Sequence, residues 1–164
     1  MTLADLNRLG RDAFVETIGW VFEDSPWIAE RVWPGRPFAS VDQLHEMMAA
    51  VMNAASADRQ LVLLRAHPDL GARMKMSAAS TGEQAGAGLD TLAPDVFARL
   101  SALNTAYREK FGFPFLFAVK GSTAAQILEA LEARLARDRE SEFEEALRQV
   151  ARIARFRLDG IVTR

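Results

Sequence analysis

Apolar residues recur along most of the chain at the three- and four-residue spacing of an α-helix. One such stripe, which lies on a single helical face, contains Val41, Leu44, Met47, Met48, Val51 and Met52. Two more stripes close the chain: Ile127, Leu128, Leu131 and Leu135, followed by Phe143, Leu147, Val150 and Ile153. We find no convincing sheet pattern, repeat or linker. The pattern therefore predicts an all-α fold of about seven or eight helices in one compact domain spanning residues 1–164.

Polar residues and helix breakers indicate where these helices begin and end. Three pairs have the spacing of a capping box: Ser40 with Gln43, Thr123 with Gln126, and Ser141 with Glu144. Ser56 can cap a shorter helix. We expect that helix to end at His67, because Pro68 disfavours helical backbone in the residue before it. Pro94 suits the first turn of the next helix, and Gly112 suits its end.

Two stretches of the chain do not have a helical pattern. Residues 71–88 are rich in Gly, Ala and Ser, which predicts a loop with one or two irregular helical turns. Residues 113–119 form an unbroken apolar run that contains Pro114. We expect this run to begin as extended, buried chain. It either packs in the core or lies at a pocket edge, where it presents main-chain groups to a planar heterocycle, and periodicity does not separate the two.

Composition excludes several kinds of function. The 164 residues contain no cysteine, which removes disulfides, zinc–thiolate sites, iron–sulfur clusters and thiol nucleophiles and fits a reducing cytoplasm. The net charge of −2 gives no basic excess for nucleic-acid binding. No apolar run approaches the roughly 20 residues of a membrane span, and the N-terminus does not resemble a secretory signal. We therefore expect a cytoplasmic protein that binds neither nucleic acid nor membrane.

Two segments contain candidate catalytic groups. His67 follows a helix, and its imidazole suits proton transfer near neutral pH; alternatively, a histidine there simply interacts favourably with the helix dipole. Residues 80–84 have a capped start, formed by Ser80 and Glu83, but a weak helix comes after it. They either only cap that helix or present free N–H groups to an anion. For the other histidine, His45, we favour a structural role.

The last helix carries four arginines: Arg148, Arg152, Arg155 and Arg157. Basic and acidic residues are nearly balanced along the final two helices, which is typical of a solvated face. A single inward arginine would bind a substrate carboxylate well, because guanidinium pairs with carboxylate through two parallel hydrogen bonds. Spacing alone does not choose among the four.

Several motifs, in this order, carry a family resemblance. They are residues 19–27 (GWVFEDSPW), 36–38 (RPF), 63–71 (LLRAHPDLG), 80–84 (STGEQ), 87–89 (AGL), 104–107 (NTAY), 110–115 (KFGFPF) and 157–158 (RL). Together they resemble the 2-oxo-4-hydroxy-4-carboxy-5-ureidoimidazoline (OHCU) decarboxylases of purine breakdown. The resemblance covers nearly the whole chain.

The resemblance implies an all-α homodimer that converts OHCU to (S)-allantoin and CO₂, with no cofactor and no metal. It implies that His67 is catalytic, and we expect Glu83 to assist it. The substrate-binding positions implied are Pro68, Ser80, Thr81, Gly82, Glu83, Gln84, Phe115, Leu116, Phe117, Ala118, Val119 and Arg157. The segment between His67 and Ser80 is shorter than in some members of the family.

Two other functions compete with this interpretation. His67-Pro68-Asp69 is also the signature tripeptide of J-domain co-chaperones, but those domains place a strongly basic helix before it, whereas this chain has only Arg59 and Arg65 there. The second alternative is a helical interaction module without enzyme activity, in which Glu83 and Gln84 serve only as caps.

Overall fold

A computed structural model of the chain describes residues 1–70 and 94–163. These residues form eight α-helices: α1 (Leu3–Arg8), α2 (Arg11–Ile18), α3 (Trp27–Val32), α4 (Val41–Ala54), α5 (Ala57–Ala66), α6 (Pro94–Phe111), α7 (Ala124–Leu135) and α8 (Arg139–Ile161). Short 3₁₀ turns come after α2 and α3. The described residues contain no β-strand, only an isolated bridge between Thr2 and Thr163. The predicted all-α class is thus confirmed.

Contacts within the chain divide it into two units. The first comprises Met1–Ala66 and Val150–Arg164, and the second comprises His67–Gln149. Helix α8 contributes residues to both units, because the division falls within it. Each helix of the described ranges is too short or too polar to cross a membrane.

The first unit is built around the apolar stripes read from the sequence. On α4, Leu44, Met48 and Met52 are buried, as their spacing predicts, while Met47 and Val51 are half-buried. The other fully buried side chains of this unit include Leu6, Phe14, Ile18, Phe22 and Ile28. Large apolar side chains that leave water in this way supply most of the stability of such a unit.

Two of the three predicted capping pairs are found at the start of a helix. Thr123 and Gln126 form a reciprocal capping box before α7. Ser40 caps α4 by accepting a hydrogen bond from the backbone N–H of Gln43 at 3.0 Å. The Gln43 side chain, however, accepts from the N–H of Ala39 rather than of Ser40.

The third capping pair, Ser141 with Glu144, was wrong. Helix α8 already begins at Arg139, and its cap is Asp138, which accepts hydrogen bonds from the N–H and the hydroxyl of Ser141, both at 2.9 Å. These bonds hold the pKa of the Asp138 carboxyl below its usual range. Asp138 lies three residues before Ser141, the spacing of a cap and its partner, so Ser141 belongs to the first turn of the helix.

The predicted helix breakers lie where the helices end or begin. Helix α5 is capped by Ser56, whose hydroxyl accepts from the N–H of Arg59 at 3.2 Å, and it ends just before His67. Helix α6 begins at Pro94 and is followed by Gly112, whose φ of 81° suits glycine. The predicted loop at residues 71–88 lies outside the described residues.

A buried polar network ties together three helices of the second unit. Arg134 of α7 donates from Nε to Glu142 of α8 at 2.7 Å, and the Tyr107 hydroxyl of α6 donates to the same carboxylate oxygen at 2.6 Å. The second oxygen of Glu142 pairs with Arg137 at 3.1 Å. The carboxylate is completely buried, and the two hydrogen bonds to one oxygen, together with the ion pair to Arg137, offset part of the hydration that it loses on folding.

The network predicts how stability depends on alkaline pH. Burial, followed by the hydrogen bond to Glu142, raises the pKa of Tyr107 well above its ordinary value. The neutral phenol is thus favoured in the folded state. Its contribution to the free energy of unfolding is fully present below the unfolded pKa of about 10 and falls above it, by about 1.4 kcal/mol per pH unit.

Tyr107 is the only tyrosine of the chain, so near-ultraviolet tyrosinate absorbance reports on this side chain alone. We expect that absorbance to appear only together with loss of helical circular dichroism. Tyr107→Phe should be less stable at neutral pH, and its free energy of unfolding should fall less steeply above pH 10. Ionisation near pH 10 with the helices intact would contradict the prediction.

Candidate active site

His67 lies at the exit of α5 and is only 5% exposed. Pro68 ends the helix there, as the sequence predicts, so the imidazole is held on a short, fixed segment. A histidine that only interacts with the helix dipole can do so at the surface, whereas this side chain is buried. The position therefore suits a group that meets a substrate away from bulk water.

Helix α6 anchors the residues after His67. The side-chain amide of Asn104 donates to the carbonyl of Leu70 at 2.7 Å, and Arg108 pairs with Asp69 at 2.7 Å. The first bond is buried, whereas the arginine of the second is half-exposed. A buried bond to a main-chain carbonyl fixes the course of the chain more firmly than an exposed ion pair. Asn104 is therefore the stronger anchor.

The second candidate segment, residues 80–84, lies outside the described residues. Ser80, Thr81, Gly82, Glu83 and Gln84 therefore remain predictions, as does the expected hydrogen bond between His67 and Glu83.

Residues 114–119 have no helical or strand conformation, and all but Phe117 are buried. Side chains of the same unit hold two of their main-chain groups. Arg134 donates to the carbonyl of Leu116 at 2.6 Å, and the Gln149 side chain accepts from the N–H of Ala118 at 2.9 Å. The aromatic rings of Phe115 and Phe117 are stacked with centroids 6.0 Å apart. The segment is therefore both buried and fixed by hydrogen bonds.

Arg157 is buried in the first unit, with its side chain 3% exposed. Its Nη1 donates to Glu23 at 2.8 Å and to the carbonyl of Val21 at 3.3 Å, and its guanidinium lies 5.7 Å from the centre of the Trp20 ring. The Trp20 side chain is 43% exposed, which is high for a tryptophan. Arg157 is thus a buried cation held by a carboxylate and a main-chain carbonyl.

The other three late arginines are more exposed. Arg148 pairs with Glu145 at the surface, and Arg152 is exposed. Arg155 binds both Asp159 and Asp42, and the hydrogen bond to Asp42 is the main cause that raises its pKa. Arg157 alone of the four is buried.

Within the part of the chain that the structure describes, neither the remaining histidine nor the acidic groups suggest a metal centre. His45 Nε2 lies 2.7 Å from the carbonyl of Ala151, which supports the structural role that we favoured. Over residues 1–70 and 94–163, no three histidine, aspartate or glutamate side chains are grouped closely enough to hold a metal ion.

Comparison with known proteins identifies the family. The family model described as OHCU decarboxylase matches residues 7–159. The chain belongs to the OHCU decarboxylase family. The match extends far beyond the His-Pro-Asp tripeptide, and it therefore favours this family over the co-chaperones and over a helical module without enzyme activity.

Relatives that match nearly the whole of this chain support the assignment. The 2-oxo-4-hydroxy-4-carboxy-5-ureidoimidazoline decarboxylase of Halalkalicoccus jeotgali is 46% identical, over 98% of this chain and 92% of the relative. That of Haloferax volcanii is 47% identical, over 96% and 94%. The uric acid degradation bifunctional protein of Bacillus subtilis is 45% identical over 99% of this chain, which spans only 33% of that longer protein.

Two solved structures share the fold. A crystal structure of (S)-allantoin synthase superposes with a TM-score of 0.83 at 32% identity, covering 99% of this chain and 54% of that one. A crystal structure of OHCU decarboxylase in the presence of (S)-allantoin gives a TM-score of 0.74 at 22% identity, over 94% and 100%. The second similarity is evidence for the fold alone.

The structure also reveals anchoring residues to which the sequence analysis assigned no role. Asn104 holds the chain after His67, and Glu23 holds Arg157. Both lie inside motifs that carry the family resemblance, residues 104–107 and 19–27, so the resemblance was the available signal. Gln149 and Arg134, which hold residues 116 and 118, lie in no such motif.

Proposed function

We propose that the protein decarboxylates OHCU to (S)-allantoin and CO₂ in urate breakdown, without a cofactor. The observation that carries the proposal is the family match along residues 7–159, together with full-length relatives that bear the name of this activity. The burial of His67 at the predicted position supports it.

The substrate itself supplies what a cofactor would otherwise provide. Its carboxylate is attached to a carbon that also bears a hydroxyl and adjoins a C=N bond. When the bond to CO₂ breaks, its electron pair forms a C=C bond, and the C=N pair moves to the nitrogen, which takes up a proton. The hydroxyl then loses its proton as its carbon becomes a carbonyl, and the C=C pair takes up a proton at the neighbouring carbon. The protein has to orient the substrate and move protons.

His67 is the group that we assign to proton transfer. It either accepts the hydroxyl proton during decarboxylation or supplies a proton afterwards, with Glu83 holding the imidazole or the hydroxyl. Protonation from one face of the ring sets the (S) configuration. An imidazole suits both steps, because it can accept or donate a proton near neutral pH.

Substrate binding is assigned to polar groups around the ring. Gln84 and main-chain groups of residues 115–119 bind the ureido and ring amides, with Pro68 and residues 80–83 beside them. Arg157 binds a substrate anion or ring carbonyl. The fixed, buried guanidinium of Arg157 supports this role, since a cation held in place by Glu23 loses little freedom when it binds a second group.

We further propose that the protein is a cytoplasmic homodimer. It binds this small-molecule substrate and neither nucleic acid nor membrane. The dimer rests on the family resemblance. The absence of a basic excess in the sequence supports the exclusion of nucleic acid.

The direct test is to add the protein to freshly generated OHCU. Ultraviolet absorbance follows the loss of substrate, and circular dichroism follows the handedness of the product in the same sample. We expect accelerated decay and an optically active (S) product. A racemic product formed at the uncatalysed rate would refute the proposed activity.

Replacing His67 tests the assignment of proton transfer. His67→Asn should lower kcat by about 10²–10⁴-fold, the usual contribution of a general acid or base, while circular dichroism shows the fold intact. The matched control is His45→Asn, the only other histidine, which should keep its activity. A His67 variant within threefold of the wild type would show that another group transfers the proton.

Replacing the late arginines tests the substrate-binding role of Arg157. Arg157→Ala should lower kcat/KM at least tenfold, because it removes a buried cation that binds the substrate. Arg148→Ala and Arg152→Ala should stay near wild type, since exposed ion pairs contribute only about 0–1 kcal/mol. Kinetics are compared at equal folded concentration, because Arg157→Ala also leaves Glu23 unpaired. Equal, small effects in all three variants would mean that Arg157 serves only the fold.

A further inference from the structure

Two main-chain groups of the proposed substrate-binding segment are held by buried side chains. The carbonyl of Leu116 accepts from Arg134 at 2.6 Å, and the N–H of Ala118 donates to Gln149 at 2.9 Å. Residues 114–119 have neither helix nor turn geometry. In extended chain, the N–H and C=O of one residue point to one side and those of the next residue point to the other. For a chain that is extended from Leu116 to Ala118, this alternation directs the main-chain groups of Phe117 away from Arg134 and Gln149.

Each of the two holding side chains is itself fixed. Gln149 donates from Nε2 to Glu145 at 2.9 Å, which orients its amide so that the oxygen faces Ala118. Arg134 is held by Glu142, and its guanidinium lies 4.6 Å from the centre of the Phe115 ring. Both side chains are buried, with 5% and 7% of their surfaces exposed.

A buried arginine adds little net stability to a core, because its charge loses its hydration on folding. Replacing a buried ion pair by apolar residues of similar size is often neutral or stabilising, so stability alone does not explain Arg134. The planar guanidinium, however, can bind a carboxylate and a carbonyl at once in a fixed geometry. Here it joins Glu142 to Leu116 and thus fixes the orientation of one peptide group.

We propose that Gln149 and Arg134 are positioning residues, which hold the main chain of Leu116 and Ala118 so that the N–H and C=O of Phe117 face the substrate ring. This inference rests on the proposed function, because it takes residues 115–119 to be the substrate-binding segment. In this proposal the main-chain N–H and C=O of Phe117 recognise the planar ring of the substrate. Arg134 and Gln149 set the direction of these groups through the neighbouring residues.

The sharpest test is Gln149→Met, which keeps the length of the side chain and removes the acceptor for Ala118. Contacts to ring atoms away from the reacting carbon stabilise the bound ground state and the transition state equally. Their loss therefore raises KM and leaves kcat nearly unchanged. We expect KM to rise about tenfold with kcat within threefold of wild type. The control is Gln60→Met, another buried glutamine that bonds main-chain carbonyls, those of Met52 and Asn53. Its KM should be unchanged.

A rescue variant separates positioning from general damage to the fold. Glu145→Gln/Gln149→Glu exchanges the donor and the acceptor, so that a carboxylate again accepts from the N–H of Ala118 while the new amide donates to it. We expect this double variant to restore KM to within about threefold of wild type. Hydrogen exchange of the Ala118 amide, measured without substrate, should be fast in Gln149→Met and slow again in the double variant.

Arg134→Lys gives a second measurement, because lysine keeps the charge but cannot bind Glu142 and Leu116 in the same planar geometry. Its KM should also rise. If wild type is active and Gln149→Met shows the same KM as Gln60→Met, the positioning role is refuted while the proposed function stands. If wild type does not turn over OHCU, the proposed function fails and this inference fails with it, whatever the exchange rate of Ala118.

Discussion

The guanidinium of Arg134 is the contact on which the arrangement of the second unit depends. It joins α7 to Glu142 of α8 and to the carbonyl of Leu116, while Tyr107 of α6 shares the same carboxylate. Removing Glu142 would leave the buried Arg134 without its carboxylate, and breaking a buried ion pair in this way typically costs about 3–5 kcal/mol. Three helices and one non-helical segment are thus held by a single set of hydrogen bonds, and none of them can shift without breaking it.

Two candidate groups outside this network are also fixed by polar side chains. The segment after His67 is fixed through Asn104, and Arg157 is fixed through Glu23. Buried Asn104 holds the main chain after the candidate catalytic histidine, and half-buried Glu23 holds the candidate substrate-binding arginine. Prior fixing lowers the entropy that substrate binding has to overcome. An enzyme whose substrate provides its own electron sink needs mainly this kind of preorganisation.

Local signals in the sequence were reliable where one short-range interaction decides the outcome. Pro68, Pro94 and Gly112 mark helix limits because the backbone geometry of a proline or a glycine restricts the conformation of the chain beside it. Thr123 caps α7 through a similarly local interaction. The error at Ser141 shows the limit of such signals. Spacing indicated Ser141 with Glu144, whereas the helix is capped three residues earlier by Asp138.

By itself, the sequence determined the all-α class, most helix ends and, through ordered motifs, the family to which the chain belongs. It also placed His67 at the end of a helix, because the proline that follows is a local constraint. Only the tertiary structure decided that Arg157 is the buried arginine among the four, and that Arg134 and Gln149 hold residues 116 and 118. The hydrogen bonds behind these facts join residues that lie 18 to 136 positions apart in the sequence. Pairings at such sequence separations depend on how the helices pack. The period of an apolar stripe shows which face of a helix is buried, but it does not name the partner across the core.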